Sequence, residues 1–211
     1  MHQVMDVSGA VLQSEREYDI ASNTNVTVGA LVKLEKGLVV PVVSAETGAV
    51  LGITAEAHTG TEDALNPRNN GTKIIVRDAP GAVLACPAPV VDAISGSGAT
   101  TVKFTATTGA GANAFDGGYI KDKTGAIRRI TTGSESAGTV TLTVESGDTV
   151  AVGDKIVVYP PVGCDKLAVG DDGTTMVITK SGATSFKVVG RDEATDEIWF
   201  MAVKHALGNG Q

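Results

Sequence analysis

Gly29-Ala30-Leu31-Val32-Lys33-Leu34-Glu35-Lys36-Gly37-Leu38-Val39-Val40-Pro41, followed by Gly48-Ala49-Val50-Leu51-Gly52-Ile53-Thr54-Ala55, decides how the chain is read. Leu31 to Leu34 has the composition of a strand. Glu35-Lys36-Gly37 is a polar turn in which Gly37 can take positive φ at no steric cost. Leu38 to Val43 follows as a second strand. Pro41 has no N–H to give to a ladder, so this strand belongs at a sheet edge or bends there. Ala45 to Gly48 turns again, and Val50 to Ala55 makes a third strand. The stretch predicts a compact meander with no catalytic side chain in it.

Composition carries the same reading outward. The chain has 211 residues, of which 42% are hydrophobic and only 4% aromatic, so a core must be built from Val, Ile, Leu and Ala. Its 26 glycines and many Thr and Val favour short strands and tight turns over long helices. The formal net charge is -7, and the longest basic cluster is Arg128-Arg129. Phosphate neutralisation needs more clustered cations than that, so nucleic acid is not an expected partner. No apolar run approaches a bilayer span, and no membrane partner is expected. Met1 to Asp6 lacks the basic and long apolar regions of a signal peptide, which leads to an expectation of synthesis in the cytoplasm.

Taken in order, residues 1–20 read as an N-terminal arm in which Val4, Val7, Val11 and Leu12 are apolar. Such an arm is either ordered on a partner or an ordinary flexible terminus. Thr61 to Leu65 could form one helical turn before Asn66-Pro67. Lys73 to Arg77 and Ala82 to Ala85 are strands. The Pro-rich points Cys86-Pro87-Ala88-Pro89 and Tyr159-Pro160-Pro161 bracket a segment with its own strand pattern. Within it, Thr101 to Thr107 and Thr139 to Val144 alternate cleanly, and Tyr119-Ile120-Lys121, Ala126 to Thr131 and Lys155 to Tyr159 complete about five strands.

After the second Pro-rich point come Thr175 to Thr179, Ser185 to Val189 and Glu197 to Val203. The last is apolar on both faces, as befits a central buried strand or one that meets a partner subunit through Trp199 and Met201. Residues 162–211 are short for a core of their own. The expected fold is therefore all-β with little helix. A discontinuous sandwich- or barrel-like host domain spans residues 21–89 and 162–211, and a small β-barrel domain, residues 90–161, is inserted in it.

Little in the sequence points to chemistry. His2, His58 and His205 make no metal spacing with one another or with a cysteine, and read as solvated. No nucleophile elbow, P-loop or dinucleotide fingerprint is present. Asp171-Asp172-Gly173 starts like a calcium loop but lacks later carboxylates, so it reads as a turn. Cys86 and Cys164 lie just outside the two junctions of the insertion. They are either a pair within bridging reach or two buried thiols acting as small hydrophobes. No cofactor and no enzymatic activity are expected.

The residues Gly29-Ala30-Leu31-Val32, the polar turn after them, and Gly48-Ala49-Val50-Leu51-Gly52-Ile53-Thr54-Ala55 resemble the small β-modules of tailed-bacteriophage capsid decoration (cement, head-stabilising) proteins. Gly117-Gly118-Tyr119-Ile120 through Val152-Gly153-Asp154-Lys155-Ile156 resembles modules of phage capsid-associated proteins. The resemblance implies a structural virion protein, commonly a homotrimer, on the capsid exterior with the major capsid protein as partner. By the same analogy Val4, Val7, Val11 and Leu12 are candidate capsid contacts. The alternative is a phage fibre, spike-base or receptor-binding module whose insertion carries recognition.

Overall fold

A computed structural model of the chain describes residues 1–6, 14–43, 46, 48–60, 73–105, 114–170, 172–178 and 184–207. Among them there is no helix. The chain runs through β1 (His2–Asp6), β2 (Glu15–Asp19), β3 (Leu31–Glu35), β4 (Leu38–Pro41), β5 (Gly52–Thr54), β6 (Lys73–Arg77), β7 (Ala82–Pro87), β8 (Val90–Asp92) and β9 (Thr101–Thr105). It continues through β10 (Tyr119–Lys121), β11 (Ile127–Ser136), β12 (Thr139–Val144), β13 (Lys155–Tyr159), β14 (Leu167–Val169), β15 (Met176–Ile178), β16 (Phe186–Asp192) and β17 (Glu197–Ala202).

The three expected strands form, but not as the meander the sequence predicts: β4 and β5 both pair with β3, from opposite sides, so β3 is central and the chain crosses over it. Lys36 and Gly37 both take positive φ (52° and 84°), and Glu35 pairs with Leu38 across them. That is the two-residue turn whose twist matches the flanking strands. β4 is an edge strand and ends on Pro41. Thr54, fully buried, secures the entry: its hydroxyl donates to the Thr27 carbonyl (2.5 Å) and accepts from the Ala30 N–H (3.1 Å). Gly29 sits beside it at φ 77°, where a Cβ would lie 2.5 Å from the Met1 carbonyl oxygen.

These strands belong to a five-stranded antiparallel sheet ordered β2-β6-β5-β3-β4. This sheet curls until its two edges meet at one parallel bridge, Ile20 to Val39. It wraps a small core of Ile20, Val26, Val32, Val39, Leu51, Ile74 and Val76. A second sheet is ordered β1-β7-β17-β16, so after residue 185 β17 pairs with β7 and β16 with β17, neither with β3, β4 or β5. Leu31, Val42, Val50 and Ile53 of the β3–β5 region nonetheless pack into the same core as Leu84, Phe186 and Phe200 of that sheet.

The segment between the Pro-rich points makes a six-stranded antiparallel sheet, β8-β13-β10-β11-β12-β9. The expected barrel does not close: among the described residues β8 and β9 do not pair as strands, although the Ile94 N–H just after β8 donates to the Lys103 carbonyl of β9 (2.8 Å). Beyond the expected Thr131, β11 runs on to Ser136. Ala137 (φ 50°) and Gly138 (φ 78°) then make another two-residue turn. The inserted sheet's core is continuous with that of the β7 sheet, running through Cys86, Ala88, Tyr159 and Cys164.

The described residues of the expected N-terminal arm are mostly strand. β1 pairs with β7, and β2 pairs with β6. β2 was hidden by its charge. As an edge strand it carries Glu15, Glu17 and Asp19 outward, with Arg77 Nε 2.9 Å from Glu15 and Lys73 Nζ 2.7 Å from Asp19. Charged edges of this kind discourage further strand pairing. Val7, Val11, Leu12 and the helical turn expected at Thr61 to Leu65 lie outside the described residues.

Asp78, fully buried at the end of β6, ties β2 down. It accepts from Ser14 Oγ (2.7 Å) and from the Tyr18 hydroxyl, its N–H donates to the Ser14 carbonyl (3.0 Å), and Arg16 Nε lies 3.5 Å from its Oδ2. Burial, then the Asp78 carboxylate, pushes the Tyr18 phenol from 10.0 up to about 12. A phenol that holds its proton more tightly when folded contributes stability that is complete below the unfolded pKa. That contribution is lost as pH rises through the folded one. The stability of the protein should therefore fall between about pH 10 and pH 12, read by denaturant midpoints. Asp78→Ala should cost about 3 kcal/mol, because buried donors lose a charged acceptor. In that variant the Tyr18 absorbance titration should move down but stay above 10.0, because burial is the larger cause.

Candidate functional site

The sequence-designated contact residues divide. Val4 lies in β1 at the bulge between Gln3 and Met5 and is half-buried. Trp199 and Met201 lie on β17, which is flanked by β7 and β16. Alternation along a strand sends successive side chains to opposite faces. Ile198 and Phe200 accordingly enter the core, and Trp199 and Met201 take the outer face, where both are half-buried. The strand is therefore central in its sheet and also presents an outer apolar face.

In register with Trp199 are Ala85 of β7 and, beyond it, His2 of β1; on the other side is Gly190 of β16. A Cβ on Gly190 would stand 3.1 Å from Trp199 Cε3, so the glycine leaves the indole room to lie across β16. Met201 is in register with Val83 and Lys187. At the rim, His2 Nδ1 is 3.7 Å from Glu197. This is a flat apolar strip with a charged margin, suited to contact with another surface.

A second concavity, of about 490 Å³, lies between turns. Val26, Ala30, Pro41 and Val42 give it an apolar floor, and Asn25, Thr59 and Asp172 stand among its polar walls. Asp172 is occupied locally: its Oδ1 accepts from the Thr174 N–H, the Thr175 N–H and the Thr175 hydroxyl, all at 2.8–2.9 Å. The turn expected at Asp171-Asp172-Gly173 is thus a side-chain-capped turn at Asp172 and Gly173, with Asp171 outside the described residues. No group of three or more His, Cys, Asp or Glu is placed to hold a metal among the described residues.

Two of the histidines correct the sequence reading. His58 is buried, not solvated; its Nδ1 donates to the Thr24 carbonyl (2.6 Å), and its backbone exchanges two 2.9 Å bonds with Val26. The isolated bridge to Val26 that buries it joins positions thirty-two apart. His205 is half-buried against Val50. Cys86 and Cys164 are both buried free thiols. Burial pushes the Cys86 thiol up to about 12 and the Cys164 thiol up as well. Neither presents a thiolate near neutrality.

The insertion is fastened to the β16–β17 turn by a polar network that the sequence did not reveal. Asp196, at φ 55°, accepts on Oδ1 from Lys121 Nζ (2.7 Å) and from the Tyr159 hydroxyl (2.5 Å). Lys121 also donates to the Glu193 carbonyl (3.0 Å), and Arg191 stacks its guanidinium 3.8 Å from the Tyr119 ring centroid. Lys121, then Tyr159, holds the Asp196 carboxyl below the usual carboxylate range. Inside the insertion, buried Asp122 and Arg128 stand 3.1 Å apart. Burial pushes the Asp122 carboxyl up, but hydrogen bonds from Thr124 and Ala126 and the Arg128 charge outweigh it and hold the pKa low.

Compared with known proteins, the chain matches no family model, no curated protein and no solved structure.

Replacing Asp196 by Ala removes the acceptor that Tyr159 and Lys121 share and should cost about 1–3 kcal/mol in chemical denaturation. Asp196→Asn, which tolerates the positive φ, should cost less. Because the folded Asp196 pKa is depressed, its contribution is complete above the unfolded carboxylate pKa and is lost as pH falls through the folded value. The difference between native and Asp196→Ala stabilities should accordingly shrink in acid.

Proposed function

We propose that this is a structural virion protein that binds the outer surface of an assembled phage capsid and stabilises it. The observation that carries the reading is the Gly29–Ala55 stretch, which resembles decoration-protein modules and here forms three paired strands whose side chains enter two cores. Two further features support it. β2 is fastened by the buried Asp78 and the insertion by the partly buried Asp196 network, as suits a body that must resist outward pressure. An apolar strip at Trp199 and Met201 faces outward for repeated contact.

In this reading the N-terminal side, with Val4, Val7, Val11 and Leu12, meets the major capsid protein, and the Trp199–Met201 strip meets sister copies in a homotrimer. Many modest contacts on one shell combine by avidity, so no single interface has to be strong. The charge of -7 suits an outer surface without nucleic acid or membrane as partner.

The test is binding of the purified protein to empty capsid shells. The expected result is saturation in hundreds of copies spread over the shell and a raised temperature of shell disruption. Confinement to one vertex or to the tail would overturn it in favour of a fibre or receptor-binding module. Light scattering should give three times the 21.4 kDa chain mass. The double variant Trp199→Ser, Met201→Ser should shift that mass toward the monomer while the circular dichroism of the β-body is kept.

A further inference from the structure

After β17 the chain does not leave the body. It folds back over the residue that precedes β5. The Val50 N–H donates to the Lys204 carbonyl (2.9 Å), and the Ala206 N–H donates to the Val50 carbonyl (2.8 Å). These two bonds make a parallel bridge between Val50 and His205. His205 thus sits at the centre of a short clasp, and its ring turns inward.

The ring's two nitrogens have unequal partners. Nδ1 accepts from the Leu207 N–H at 3.1 Å, so in the neutral ring the proton is on Nε2. Nε2 is buried without a hydrogen-bond partner. The ring borders a cavity of about 20 Å³, walled by Gly52, Arg77, Ala79, Gly81, Leu84 and Ala202. A space of that size holds one water at most. Besides His205, Arg77 is the only charged side chain lining it among the described residues, and Arg77 is paired with Glu15 at 2.9 Å. From the end of β6, Asp78 attracts a proton toward the ring, but its carboxylate is already held by Ser14, Tyr18 and Arg16. Lys204 is the charged neighbour on the clasp itself.

Protonation is therefore opposed at Nδ1. A second proton must go there, where the Leu207 N–H already points, and two donors would then face each other. The new charge would be shared with the buried Nε2 side of the ring, which borders a cavity too small to hydrate it. Burial lowers the His205 pKa, with the Leu51 backbone and Asp78 pulling the other way. A histidine whose folded pKa is depressed contributes stability that is present above its unfolded pKa and lost as pH falls through the folded value. The least costly response is local. The Val203 N–H, on the Ser185 carbonyl (2.8 Å), anchors the base of the clasp, while the two Val50 bonds at its edge can open; openings of that size occur without global unfolding.

We propose that residues 203–207 form an acid-released clasp over Val50, with His205 as the group whose protonation opens it. At neutral pH the clasp covers the start of β5 and the cavity between β5, β6 and β7. In acid it lifts, and the Val50 edge and the cavity become accessible to solvent.

Amide hydrogen exchange of the full chain at pH 7.5 and 5.0, corrected for intrinsic exchange, tests this. Protection at Val50 and Ala206 should fall about tenfold for each pH unit below the folded His205 pKa. Protection in β11 and β12 should stay constant. The midpoint of the loss should coincide with the His205 ring titration followed by NMR in the same sample. His205→Gln and His205→Phe, which cannot take the charge, should keep the same protection at both pH values. Constant protection at Ala206 in the native chain, a midpoint that departs from the His205 titration, or the same acid opening in both variants would each overturn the proposal.

Discussion

Adjacent residues Leu31 and Val32 are both fully buried, yet they belong to different cores. That is the constraint on which the rest of the structure depends. A strand sends alternate side chains to opposite faces, so the stretch from β3 to β5 is a partition with apolar packing on each side. Leu31, Val42, Val50 and Ile53 serve the large core, and Val32, Val39 and Leu51 serve the small one. Burying each such side chain contributes about 1.5–3 kcal/mol, so none of these seven positions is free to be polar. The partition is also thin. A Cβ on Gly52 would lie 2.0 Å from the Arg77 carbonyl oxygen, so β5 can approach the end of β6 only as glycine.

β7 then links the partition to everything beyond it. It follows the Asp78 anchor, runs between β1 and β17, and leads within two residues into β8 of the insertion. Because the large core runs through Cys86, Ala88, Tyr159 and Cys164, the insertion has no separate core that could turn about a hinge. The Asp196 network adds a directional tie at the same place. It draws its three members from β10, β13 and the turn before β17. A continuous close-packed core with a hydrogen-bonded margin transmits load instead of yielding to it.

Much of this was legible in the residues, for stated reasons. The Lys36-Gly37 turn, the edge position of the Pro41 strand and the alternating strands of the insertion follow from local chemistry, and local chemistry is what a sequence displays. β1 and β2 were hidden because an edge strand needs little apolar character: Glu15-Arg16-Glu17-Tyr18-Asp19 looks like a solvated run until its partners Lys73 and Arg77 are beside it. The β11 hairpin was missed because its turn uses Ala137-Gly138, not the Asn-Gly that marks this turn type. The candidate contacts were half legible. Trp199 and Met201 could be placed on an apolar strand, but which face was buried depended on a register with β7 that no local signal encodes. His58 and Asp196 depend on partners far away in the chain, and nothing in their neighbours foretells burial or a network.

The same constraint separates the two outward-facing apolar features as contact surfaces. The concavity near Val42 is walled by turns, at Asn25 to Thr27, Ala57 to Thr59 and Gly170 to Gly173. The Trp199 strip is carried by the third strand of four, hydrogen-bonded on both sides, with its opposite face locked by Ile198 and Phe200. A side chain on such a strand has little freedom left to lose, so contact there costs less ordering entropy than contact through turns. Gly190 lets the indole lie against the sheet, which turns one large aromatic into part of a flat plane. The strip exists because the inner face of β17 is committed to the core that the β3–β5 stretch closes from the other side.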